Sequence, residues 1–147
     1  MIFIHFIAAF IAVVSFGVNL EIPKKHLVIV GVVGALGWIT YIICDYFKLP
    51  NILSYFISAL VIAILSIILS KLLKAVSTIF LIPGILPIVP GIALYKMIYF
   101  LINNNLKESG KQLMQVIWIT GGIALAIFIT ESIKGIKIIR KERINEN

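Results

Sequence analysis

The sequence predicts an all-α, polytopic integral membrane protein of about five transmembrane helices, the fourth broken by a proline- and glycine-rich segment. Three observations carry this. Of the 147 residues, 61% are hydrophobic and 13% charged, against about a quarter charged in a soluble domain. The mean hydropathy is +1.13, so one water-soluble domain of this length could not bury its apolar surface, and lipid must be the solvent for most of it. The apolar residues are gathered into runs close to the roughly 20 residues of helix that span a bilayer, separated by short polar connections.

Taken in order, the runs lie near 1–20, 27–46, 51–70, 75–102 and 112–133. The first resembles a secretory signal only superficially. No positive residue precedes it, no small-x-small site closes it, and Lys24 and Lys25 follow it, so it is expected to be a retained helix. The second contains Gly31, Gly34 and Gly37, whose three-residue spacing keeps them within a broad strip of the helix where another backbone can approach. A phosphate-cradling glycine loop would need a preceding strand and polar access, which an apolar helix lacks. The third carries Ser54, Ser58, Ser66 and Ser70, and the fifth Thr120 and Thr130, read as small residues bonding to their own or a neighbouring helix. The connections are 21–26 with Pro23, 47–50, 71–74 and 103–111, the last marked as a loop by three consecutive asparagines and Gly110.

Charge then orients the chain. The net charge of +7 sits in connections and at the C-terminus rather than in a stripe interleaved with exposed aromatics, which argues for cationic loops and against a nucleic-acid partner. With five crossings, one face collects Lys24, Lys25, Lys71, Lys74, Lys134, Lys137, Arg140, Lys141 and Arg143, and the other only Lys48, Lys107 and Lys111. By the positive-inside rule the N-terminus is expected outside and the C-terminus in the cytoplasm. This makes residues 1–133 a transmembrane domain and 134–147 a basic cytoplasmic tail, in the cell membrane. A re-entrant fourth segment would move the tail across and erase the asymmetry. The single cysteine, Cys44, excludes an internal disulfide and a Cys-based metal site. No cofactor and no metal are expected.

Residues 83–91 read PGILPIVPG and hold three of the five prolines. Each proline removes a backbone donor, crowds the preceding turn and biases the residue before it away from helix. The nonapeptide is therefore expected to be unwound between half-helices over 75–82 and 92–102. Such breaks at membrane depth are tolerated only where protein or water satisfies the freed polar groups, and in transporters they line substrate sites. A kink that binds nothing is the competing reading.

The stretch IPGILPIVPGIALY, from Ile82 to Tyr95, follows three apolar segments and a basic Pro-Lys-Lys connection and precedes one more span. In this it resembles the small-subunit (second) domain of the threonine/serine exporter family, over nearly the whole chain. The resemblance implies a secondary exporter of small hydrophilic metabolites, threonine/serine-type amino acids or small dicarboxylates such as succinate, driven by the proton motive force. It also implies a larger exporter-type membrane subunit as partner, this chain being the separate small subunit, and association between copies stays open. The break, with Pro83, Gly84, Pro87, Pro90, Gly91, Tyr95 and Lys96, would then line the substrate path.

Lys96 is a cation inside an apolar run, able to attract a carboxylate or to snorkel beside Tyr95 and Tyr99. Glu131 and Asp45 are the acidic residues nearest membrane depth and the candidates for proton coupling, while His5 reads as interfacial. No paired carboxylates, serine–histidine set or phosphate loop supports an enzyme. The alternative to an exporter is a structural or holin-like membrane protein, for which only size and the cationic tail speak.

Overall fold

Apolar runs of this length fold as helices because lipid offers backbone groups no other partners. The computed structural model describes the backbone of residues 2–145 and the side chains of residues 2–135. Its elements are α1 (Ile2–Asn19), α2 (Lys24–Tyr46), α3 (Asn51–Leu72), α4 (Thr78–Ile85), a 3₁₀ turn (Leu86–Ile88), α5 (Gly91–Ile102) and α6 (Leu106–Asn145). No strand occurs among the described residues. Helices α1, α2, α3 and the Leu106–Gly135 part of α6 are each long and apolar enough to cross a membrane, and the bent pair α4–α5 makes a fifth span if it crosses as one.

The four connections share one design. Glu21, Lys48, Lys74 and Asn104 each adopt a left-handed backbone, with φ between 51° and 55°. The next residue then returns its N–H to a carbonyl five positions back: Ile22 to Gly17 at 3.0 Å, Leu49 to Cys44 at 3.2 Å, Ala75 to Ser70 at 3.0 Å and Asn105 to Phe100 at 2.9 Å. This is the Schellman closure of a helix C-terminus, built without glycine at a cost of order 1 kcal/mol per turn. Pro23 and Pro50 follow two residues behind the first two and start α2 and α3, where a missing donor costs nothing. Asn105 accepts the Glu108 N–H at 3.3 Å and starts α6, and Glu108 pairs with Lys111 at 2.6 Å.

Helix α2 is the centre of the packing. A methyl group on Gly31 would strike Phe10 and Val14 of α1, one on Gly34 would lie 2.5 Å from Val13 Cγ2, and one on Gly37 would collide with Ile62 of α3. The glycines therefore serve two neighbours rather than one strip. Six residues turn a helix by about 120° away from its starting face, which carries the contact from α1 at Gly31 to α3 at Gly37. The Ser58 hydroxyl uses the close approach to donate to the Gly37 carbonyl at 2.6 Å, fully buried. Ser58→Ala is expected to cost about 0.6–1.7 kcal/mol, the range for interhelical side-chain hydrogen bonds in membranes. Unfolding of the purified protein in detergent measures it.

Two expectations are corrected. The nonapeptide is not unwound throughout: helix continues through Pro83 and Gly84 to Ile85 and tightens to 3₁₀ through Ile88, so only Val89 and Pro90 leave it. Pro83 and Gly84 are buried, and a methyl on Gly84 would meet Ile62 at 3.0 Å and Val33 at 3.2 Å. Against an apolar neighbour an unwound turn would leave backbone groups unpaired, so the chain stays helical wherever proline allows it. Pro87, in the first turn of the 3₁₀ helix, sacrifices no donor there. The loop expected over 103–111 is also shorter. Helix α6 begins at Leu106, includes Gly110 and continues past residue 133 to Asn145. The side chains of Lys137, Arg140, Lys141 and Arg143 in the expected tail lie outside the described residues.

Val33, Ala59, Ile62, Leu81, Ile88, Ile119 and Ile123 form the main core, joining α2, α3, α4, the 3₁₀ turn and α6. Val13, Val30 and Phe80 form a second core between α1, α2 and α4. Among the described residues, helix α5 joins neither and packs against α6 alone.

Candidate functional site

The site begins at the one place where the fourth segment leaves helical geometry. Val89 is extended (φ −61°, ψ 134°) and Pro90, at φ −75° and ψ 57°, is the centre of an inverse γ-turn whose Gly91 N–H donates to the Val89 carbonyl at 2.7 Å. Proline suits that position because its ring already fixes φ. The turn redirects the chain by 51° between Thr78–Ile88 and Gly91–Ile102. With α5 carried away from α2 and α3, a cavity of about 390 Å³ opens between them, within the roughly 300–1,000 Å³ of ligand pockets.

Three walls line it. Pro87, Pro90, Gly91 and Lys96 come from the break and from α5. An aromatic wall comes from α2 and α3, where Trp38 stacks on Tyr41 with ring centres 5.3 Å apart and Tyr41 lies 4.6 Å from Tyr55. Gln112 and Gln115 of α6, with Asn51 at the start of α3, add neutral amides. The first turn of α5 opens into the same space through Ile92 and Ala93. A helix N-terminus and an ammonium one turn further on give this end of the cavity a positive field. Among the described residues its lining holds one cation, Lys96, and no carboxylate. Asn51, Gln115 and Ile119 also line a second, neighbouring cavity of about 360 Å³.

The residues singled out from the sequence are thus divided. Pro87, Pro90, Gly91 and Lys96 meet at the cavity, while Pro83 and Gly84 lie below it in the packed part of α4. Tyr95 is 69% exposed and stacks on Tyr99 at 6.3 Å, outside the cavity lining. Asp45 is exposed beside the α2–α3 turn, and His5 is exposed near the start of α1. Glu131 accepts from Ser77 at 3.2 Å and from Lys134 at 3.1 Å, and Lys134 also donates to Ser77 at 2.8 Å. This cluster ties the start of α4 to α6 well away from the cavity.

Sequence reasoning missed Trp38, Tyr41, Asn51, Tyr55, Gln112 and Gln115. The glutamines had a signal, two amides three residues apart on one face of an apolar run. The tyrosines had none, because their meeting depends on how α2 and α3 pair. His26, expected in a connection, is in the first turn of α2, 5% exposed and edge-on to Phe80 at 5.5 Å.

A family model described as "Threonine/Serine exporter, ThrE" matches residues 5–133 of the chain. No curated protein and no solved structure matches it.

Proposed function

The chain belongs to the threonine/serine exporter (ThrE) family, and from that premise we propose that it is the small subunit of a two-component secondary exporter. It is a multi-pass membrane protein with the lipid bilayer around it and a transport role rather than an enzymatic one. Its substrates are small hydrophilic metabolites, threonine/serine-type amino acids or small dicarboxylates, and the proton motive force drives their export. The other subunit is a larger membrane protein of the same exporter type.

The observation that carries this reading is the coincidence of three features at one place. The break in the fourth span, a positive helix N-terminus and Lys96, the one cation lining the cavity among the described residues, lie around one ligand-sized opening. In discontinuous-helix transporters such an arrangement receives a substrate carboxylate. Lys96 is the residue assigned to that carboxylate, and the peptide groups of the first turn of α5 support it.

Export of radiolabelled threonine, serine and succinate is measured from cells expressing this chain alone, the larger subunit alone, and both. Export by the pair only, abolished when a protonophore collapses the proton gradient, is the expected result. Equal release from all three strains, with both proteins detected in the membrane, refutes the two-component reading.

A further inference from the structure

The cavity has a neutral wall that the carboxylate contact leaves unused. Gln112 and Gln115 stand one turn apart on α6, and Asn51 reaches the same space from the start of α3. Each primary amide offers both a donor and an acceptor. Gln112 follows the polar start of α6, whereas Gln115 lies among Leu113, Met114, Val116 and Ile117, where an amide facing lipid would be costly and one lining a cavity is not. A carboxylate alone does not need them, since Lys96 and the start of α5 already supply donors.

We infer that Gln112 and Gln115, assisted by Asn51, read a hydroxyl group on the transported molecule and so select hydroxy-amino acids over apolar isosteres of the same size. The inference rests on the exporter reading above and names the residues that set its selectivity. A hydroxyl is donor and acceptor at once, the complement of a primary amide, whereas a methyl in its place strands both amide groups without partners. The aromatic wall of Trp38, Tyr41 and Tyr55 lines the same cavity. No carboxylate lies in the lining among the described residues, and the rings offer a substrate ammonium a partner, since a cation is attracted to the negative face of an aromatic ring. One molecule thereby meets three chemistries: carboxylate at Lys96, ammonium at the rings, hydroxyl at the amides.

The test compares pairs in which a hydroxyl is exchanged for a methyl, threonine with valine and serine with 2-aminobutyrate. Membrane vesicles containing this chain with its larger subunit are preloaded with each labelled compound, and kcat/KM for release is determined. The wild-type pair is expected to favour the hydroxylated member by about tenfold or more, since a site that hydrogen-bonds a hydroxyl discriminates against its absence. Gln112→Met and Gln115→Met keep side-chain length and ease insertion of α6. They are expected to bring the ratio close to one by lowering threonine and serine release while leaving valine and 2-aminobutyrate unchanged. Asn51→Leu makes an independent change on the facing helix and should act in the same direction. An unaltered ratio in the variants, or a parallel fall for both members of each pair, overturns the inference while leaving export itself intact. Wild-type vesicles that release succinate but no amino acid overturn this inference and leave the exporter reading standing, whereas release of neither overturns both.

Discussion

Lys96→Met should lower kcat/KM for export by roughly 100-fold, the scale of losing one charged hydrogen bond to the substrate. The reasoning starts from cost. An ammonium in a span is expensive unless it reaches water, an interface or a partner, and Lys96 stands exposed on a helix that among the described residues packs against α6 alone and lines the cavity. Methionine keeps the length and apolar stem of lysine and makes α5 more compatible with lipid, so the amount of protein in the membrane should not fall. Lys96→Arg retains the charge but brings a planar fork in place of a compact ammonium, and should recover only part of the activity. Initial release rates across a range of internal substrate concentrations, normalised to membrane-bound protein, decide the matter. Full activity in Lys96→Met would mean that the side chain only snorkels toward the interface from α5.

The largest effect on the fold is expected at Gly34. A methyl group there would lie 2.5, 3.0 and 3.2 Å from Cγ2, Cγ1 and Cβ of Val13. Val13 is completely buried and β-branched, so it has neither space nor an alternative rotamer with which to give way. Gly34→Ala should therefore cost about 1–3 kcal/mol through overpacking. Gly34→Val should prevent α1 from docking and sharply reduce the folded protein recovered in detergent. Gly31 is as tightly placed, since its methyl would strike the side of the Phe10 ring at 2.6 Å and Val14 Cγ2 at 2.7 Å. The decisive measurement is compensation. Val13→Ala combined with Gly34→Ala should regain most of the stability lost in Gly34→Ala alone, a coupling that a double-mutant cycle reads directly. Equal stability of Gly34→Ala and wild type would place α1 elsewhere on the bundle.

These two predictions draw on different kinds of information. That Gly34 admits a neighbour follows from its small size within an apolar run, but the neighbour's identity does not. The same applies along α2, where Gly31 and Gly37 look equivalent in sequence yet meet different helices, because their spacing rotates the contact around the axis. Lys96 stands out in sequence because a cation among apolar residues needs an explanation. What it shares a cavity with could not be read, since Tyr41, Tyr55 and Gln115 belong to three segments whose distances depend on packing.

By itself the sequence determined the solvent, the all-helical class and the existence of a break. Hydropathy is a sum over residues, helix follows from the absence of other backbone partners in lipid, and proline limits helix through its own ring; none of these requires a distant contact. The tertiary structure alone decided where the break falls and what it creates. Burial of Pro83 and Gly84, the latter against Val33 of α2 and Ile62 of α3, keeps the first half of the nonapeptide helical, and only beyond that contact, at Val89 and Pro90, does the chain turn away. The direction of that turn sets α5 against α6 and opens the space that Lys96, the amides and the aromatic wall surround. A cavity is the volume that packed helices fail to fill, so its lining is a property of all of them together and of no single segment.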